Sequence, residues 1–288
     1  MTSPRLSVRK TYKLFIDGVF CRSESGRTFA VPTRGVTVHA ARASRKDVRD
    51  AVKGARAAFT SWRDRSGYNR GQILYRLAEM LESRNGQLLE ALRLGGVSAI
   101  AARAEVTAAI DRAVWYAGWC DKIEQALSTK NPVGIRHFNV SSPEPTGVVA
   151  VVAPSRPGLL GLASPIAAAA CSGNTVVALA SERDPHSAVA LAEAIAVSDV
   201  PHGVISILTG HRSEVVPTLA AHLGVNALDL WMSGPEEQAA ALRACDTVKR
   251  VRRPGEPPAR YWSAGLDQRL ESIAAFVEIK TVWHPVGF

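Results

Sequence analysis

Four cysteines, seven histidines and a few acidic residues are the side chains of this 288-residue chain best suited to covalent or acid–base chemistry. Cys21, Cys120, Cys171 and Cys245 stand far apart and form no CxxC pair, so neither a zinc site nor a dithiol redox motif is indicated. A thiol that attacks a carbonyl needs activation and an oxyanion site. The segment ACDTVKR around Cys245 shows neither, and Cys120 and Cys171 fit the role of small buried hydrophobes. His39, His137, His186, His202, His211, His222 and His284 include no HExxH and no metal-ligand spacing. No metal site and no catalytic residue is assigned. His186, His202 and His211 flank predicted helices near strand ends, where α/β folds bind ligands, although solvated or capping roles explain them as well. Glu236-Glu237 suits a helix dipole better than a pair of carboxylates flanking a substrate. GxSxG, GxxxxGK[ST] and GxGxxG are all absent.

The elements that position these residues fall into two regimes. YKLFIDGVF alternates and reaches Asp17-Gly18, which predicts a hairpin start, with further strands over Arg27 to Val31 and Val36 to Ala40. Ser44 to Asp47 resembles a capping box, and Val48, Val52, Ala55 and Phe59 then recur at helical spacing as far as Trp62. A second helix begins near Tyr68 and is broken by Gly95-Gly96. A third spans Val97 to Gln125, where Trp115, Tyr116 and Trp119 read as packing aromatics rather than a base-stacking platform. Strands follow at Arg136 to Val140 and Gly147 to Val152. The pattern then becomes βα units: strands at Thr175–Leu179, Val204–Leu208 and Ala227–Trp231, helices at Leu160–Cys171, Pro185–Ser198, Ser213–Leu223 and Pro235–Arg243. That alternation predicts an α/β fold, a Rossmann-like parallel sheet covered by helices on both faces. RRPGEPPAR, Arg252 to Arg260, reads as a linker, Leu266 to Ala275 as one helix, and FVEIKTVW as a strand with no obvious neighbour. Such a strand must pair within the fold or with another subunit.

In that order the segments resemble the NAD(P)-dependent aldehyde dehydrogenase superfamily. YKLFIDGVF with SGRTF is similar to its opening strands, SRKDVRDAVKGARAAFTSW to its first helix, and AEVTAAIDRAVWYAGWCDKI to the helix before its protruding hairpin. PTGVVAVVAPSRPGLL, CSGNTVVALASE, VPHGVISILTG and LDLWMSG follow in family order, and VEIKTVWHP resembles the closing oligomerisation strand. The resemblance covers Thr11 to Arg253 and Phe276 to Pro285. It implies five parts: amino-terminal strands and helices of the nucleotide-domain scaffold over 1–132, an oligomerisation hairpin over 133–150, Rossmann-like units over 151–251, a linker over 252–263, and a closing helix and oligomerisation strand over 264–288.

Residue by residue, the resemblance also implies losses. Arg156 stands where the family's turn carries the asparagine of the oxyanion hole, and Leu179 where a lysine holds the cofactor ribose; leucine has no donor. Met232 displaces the glycine that lets backbone approach pyrophosphate, a bulk expected to fill cofactor space. Glu182 with Ser181, the Gly210 turn, and Ser233-Gly234 remain as vestigial cofactor-binding positions, with Ser233 expected to cap the helix near Pro235 and Ser213 the helix before it. Between Arg253 and Phe276 nothing resembles the glutamate-bearing segment or the second domain with the nucleophilic cysteine. The expectation is therefore a truncated, non-catalytic member without a cofactor of its own, structural or regulatory, forming a homo-oligomer or a hetero-oligomer with a full-length aldehyde dehydrogenase. The alternative is an NAD- or NADP-dependent oxidoreductase with an atypical or subunit-shared site.

Bulk properties narrow the partners. At 47% hydrophobic residues a large core is supported, and no apolar run of about 18 residues is free of charge, so no membrane span is expected. MTSPRLSVRK has no apolar signal core after it, which predicts a cytoplasmic chain. The net charge of +9 is scattered over helices apart from Lys249, Arg250, Arg252 and Arg253, so specific nucleic-acid binding is not expected.

Overall fold

The computed structural model describes residues 10–33 and 36–287; the expectation about the amino-terminal nine residues lies outside them. The chain opens with β1 (Leu14–Ile16), β2 (Val19–Cys21), β3 (Thr28–Thr33) and β4 (Val36–Ala41). Helices α1 (Arg45–Arg63), α2 (Gly67–Ser83), α3 (Asn85–Leu94), α4 (Ala99–Ala117) and α5 (Ile123–Leu127) follow, then β5 (Thr129–Lys130) and β6 (His137–Pro145). The βα units are β7 (Val148–Val152), α6 (Leu160–Cys171), β8 (Thr175–Leu179), α7 (Pro185–Ala196), β9 (Ile205–Leu208), α8 (Arg212–Ala221), β10 (Ala227–Leu230), α9 (Pro235–Cys245) and β11 (Arg250–Arg252). The chain closes with α10 (Ala259–Ser263), α11 (Leu270–Ala274) and β12 (Val277–Pro285).

A seven-stranded sheet in the order β11-β10-β7-β8-β9-β1-β2 forms the centre, parallel from β11 to β9. All five residues of β7 and all five of β8 are buried, the mark of strands covered on both faces. Alternation sorts them: Val149, Val151 and Ala178 join one apolar cluster with residues of α2, α4, α6 and α7. Val148, Val152 and Leu179 join the other, with residues of α1, α8 and α9. The parallel α/β architecture is thus as the sequence pattern predicts.

Local differences have identifiable causes. The predicted capping box of α1 is present: the Ser44 side chain accepts from Asp47 N, and Asp47 accepts from Ser44 N at 2.7 Å. The long helix predicted from Tyr68 divides instead at Arg84, whose backbone N–H turns back to Met80 and Leu81 carbonyls. The helix predicted to Gln125 ends at Gly118. A helix over Leu266 to Ala275 is also too long: only Leu270–Ala274 is helical, because Asp267 turns inward to a buried ion pair. β11, not expected from the sequence and ending at the first residue of the predicted linker, adds a parallel strand beside β10.

The strand without a partner in sequence finds one in its own chain. β12 pairs antiparallel with β6 over nine residues, from Val277 opposite Pro145 to Pro285 opposite His137. The resulting sheet runs β12-β6-β5, so β12 is an edge. In the region where a hairpin was expected, 133–150, β6 pairs antiparallel with β5 on one side and with β12 on the other. Among the described residues no helix is long and apolar enough to cross a membrane.

Candidate functional site

Strand order locates the cleft. After β7 the chain builds β8 and β9 to one side, then returns to lay β10 on the other side of β7. Loops leaving the carboxyl ends of β7 and β10 therefore diverge, and ligands of open α/β sheets sit in that crevice. Every vestigial position named from the sequence lies at these strand ends: Ser181 and Glu182 after β8, Gly210 after β9, Ser233 and Gly234 after β10. Ser155 and Arg156 follow β7.

Each position has a definite task. Ser181 donates its hydroxyl to Ser155 O at 2.9 Å and ties the β7 and β8 exits together. Glu182 serves α8: one oxygen accepts Arg212 N at 2.5 Å and the other lies 3.0 Å from His211 Nδ1. A carboxylate on the first N–H groups of a helix is a favourable cap. Ser213 is inside α8 and does not cap it; that expectation is corrected by Glu182. Ser233 does not cap α9 either. Gly234 is the cap residue, at φ +96°, where a Cβ is strained, and no side chain bonds the helix start. The Ser233 hydroxyl instead accepts Glu256 N at 3.3 Å. Gly210 brings the end of β9 against the chain entering α1, where Ala43 N donates to Thr209 O at 2.9 Å.

Three residues given no binding role from the sequence complete the cleft: Ser155, Arg212 and Glu256. Glu256 Oε1 accepts Ser155 N at 3.2 Å, Ser155 Oγ at 2.7 Å and Arg212 Nη1 at 3.0 Å. The other Arg212 nitrogen donates to Ala153 O at 2.5 Å. Burial pushes the Glu256 carboxyl up, but the Ser155 and Arg212 hydrogen bonds overcome this and hold it below its ordinary value. The only available signal was one acidic residue among prolines in RRPGEPPAR.

At the positions where the resemblance implies contacts to a dinucleotide, the chain presents apolar side chains and little open space. Leu179 is fully buried among apolar neighbours and presents no donor at the end of β8. Met232 is buried in the same cluster as Val216 and Ala240 of the two helices. The groove left between α8 and α9, lined by Arg212, Val216, Pro217, Glu236 and Arg243, holds about 140 Å³, below the roughly 300–1,000 Å³ of ordinary ligand cavities. The Glu256 carboxylate places a negative charge on Ser155 and Arg212 at the strand ends.

The opposite side of the β7 exit is also closed. Glu105, from α4, accepts Leu159 N at 2.8 Å and Leu160 N at 3.1 Å, the donors that open α6. Burial raises its pKa to about 6, against the opposing pull of those two N–H groups and of Arg156. Arg156 itself is exposed. Cys120 and Cys171 are buried, Cys21 is half-buried and Cys245 is exposed; burial pushes the Cys171 thiol well up. The histidines do not converge. His186 is buried edge-on against Tyr12, with ring centroids 5.1 Å apart, and His202 lies against the Gly18 turn. His211 alone sits at the strand ends. The basic run is largely paired: Arg250 with Glu278, Arg252 with Asp229, Arg253 with Glu237.

Comparison with known proteins agrees with this topology. The pattern of the Aldehyde dehydrogenase family matches residues 22–251. The chain is 34% identical over 250 residues to a putative aldehyde dehydrogenase, DhaS, of Bacillus subtilis, covering 84% of this chain and 50% of that one. It is 34% identical over 257 residues to the cytosolic 10-formyltetrahydrofolate dehydrogenase of Mus musculus, covering 86% of this chain and 28% of that protein. Among solved structures, the NAD+ complex of aldehyde dehydrogenase from Bacillus cereus superposes with a TM-score of 0.78 at 26% identity, covering 84% of this chain and 50% of that one. The chain thus spans half or less of the length of these relatives. With the strand order, the segment order and the matched residues in agreement, the chain belongs to the aldehyde dehydrogenase family.

Proposed function

We propose that this chain is a non-catalytic member of its family, a structural or regulatory subunit that assembles with itself or with a full-length aldehyde dehydrogenase through the β12-β6-β5 sheet. The observation that carries the reading is β12: nine residues paired on one side only, with Ile279, Val282 and Trp283 each half or more exposed. An edge strand of that length leaves a row of backbone donors and acceptors for another chain, and strand addition supplies main-chain hydrogen bonds. The closed strand-end cleft supports the non-catalytic part. So do the start of α6, capped by Glu105, and the Cys171 thiol, held in its neutral form by burial. Co-purification from the native cell tests the assembly, with the mass of every accompanying chain recorded. Recovery as a lone monomer at every concentration would refute it.

A second reading, an NAD- or NADP-dependent oxidoreductase with a subunit-shared site, is favoured by one feature: the space in front of Gly234, where a Cβ would meet no atom within 4 Å. Titration calorimetry with NAD and NADP separates the two. Tight binding by the isolated chain, with aldehyde-dependent reduction, selects the second.

A further inference from the structure

The Glu256 contacts are those of an anion site that already holds an anion. One carboxylate oxygen collects a backbone N–H, a hydroxyl and a guanidinium, all charge-assisted. The same donor types bind phosphate groups, as point donors from backbone and hydroxyl and as a planar fork from arginine. The segment is pinned on both sides of the switch point, to Ser155 and Arg212 on one side and to Ser233 through Glu256 N on the other. Gly255 fits this passage because a Cβ there would lie 3.3 Å from Ser233 Oγ. Of the nearby acids, Glu182 is committed to the start of α8 and Glu237 to Arg253, so Glu256 is the carboxylate facing Ser155 and Arg212. Its side chain remains 39% exposed while that of Arg212 is 15% exposed, so water reaches the carboxylate more readily than its partner.

We propose that Glu256 is a tethered stand-in for phosphate: residues 253–258 form a strap that closes the β7/β10 cleft, and its release uncovers a phosphate site made by Ser155, Arg212 and Ser233. This strap stands whether or not the chain assembles with others. It adds a removable part to the closure of the cleft, separate from the fixed bulk of Leu179 and Met232: a built-in anion competes with phosphate for the Ser155 and Arg212 donors. The competing group acts intramolecularly, so its effective concentration is high and a free ligand must displace it.

Calorimetry of the full chain with inorganic pyrophosphate tests this. Glu256→Ala is expected to bind pyrophosphate about tenfold tighter than the parent chain, and Glu256→Gln, which keeps the shape and loses the charge, to gain in the same direction. Adding Arg212→Ala to Glu256→Ala should return affinity to the parent level. Thermal melts of each variant establish that the fold persists; the Gln variant carries the test if the Ala variant unfolds. The strap is refuted if both Glu256 variants bind within about twofold of the parent. It is refuted equally if the double variant binds as tightly as Glu256→Ala.

Discussion

Glu105 places a half-buried carboxylate against two backbone N–H groups, and desolvation outweighs them, so its pKa rises from 4.5 to about 6. Between those values the folded chain binds more protons at this residue than the unfolded chain. The sign follows: the contribution is fully present below the unfolded value and is lost as pH rises through about 6. Its size is about 2 kcal/mol. Glu105→Gln should therefore flatten the stability profile between acid and neutral pH by about that amount, as measured by urea unfolding across the range. The thiols give a second residue-scale prediction. Cys245 is exposed whereas Cys120 and Cys171 are buried, with Cys171 further protected by its raised pKa. A thiol reagent followed by peptide mapping should label Cys245 rapidly in the folded chain and the buried pair only on unfolding.

At the scale of elements, the segment between β11 and β12 packs as part of the domain. Asp267 accepts Arg112 Nε at 2.8 Å and Ser164 Oγ at 2.6 Å, while its carbonyl accepts the Tyr116 hydroxyl at 2.8 Å. Trp262 stacks against Trp231 with centroids 4.9 Å apart, and Arg252 lies 4.8 Å above the same Trp231 ring. α10 and α11 thus cover α4, α6 and the end of β10. Asp267→Ala leaves the Arg112 charge buried without its partner, which costs about 3–5 kcal/mol; chemical denaturation should show a loss of that size. Replacing both members by apolar residues of similar volume should recover most of it. The sequence showed these residues only as a linker and one helix. Helical periodicity marks which positions are apolar, but not that an aspartate will turn inward to a distant arginine.

Over the whole molecule, the two larger of the three sheets divide the work: the mainly parallel sheet organises the core and the strand-end cleft, and the β12-β6-β5 sheet presents an open edge. Ile279→Lys together with Trp283→Lys should shift the mass measured by light scattering toward the monomer. Far-UV circular dichroism should stay unchanged, because both side chains are exposed in the isolated chain. Much of the plan was legible from sequence. The change to βα periodicity, the Ser44–Asp47 cap, the Leu160–Cys171 helix and the apolar strand TVVAL all rest on residues within a few positions of one another. Local sterics and burial patterns suffice for these. That Leu179 has no side-chain donor is plain from its type, while the expectation of a donor there came only from the family resemblance. Tertiary structure alone decided which edge β12 joins, that β11 exists, that Glu182 caps α8, and that Glu256 reaches Ser155. Glu256 and Ser155 are 101 residues apart, and Arg112 and Asp267 are 155 apart. A pairing between single polar residues at that separation leaves no periodic trace in the chain, because only folding brings its two halves within reach of a hydrogen bond.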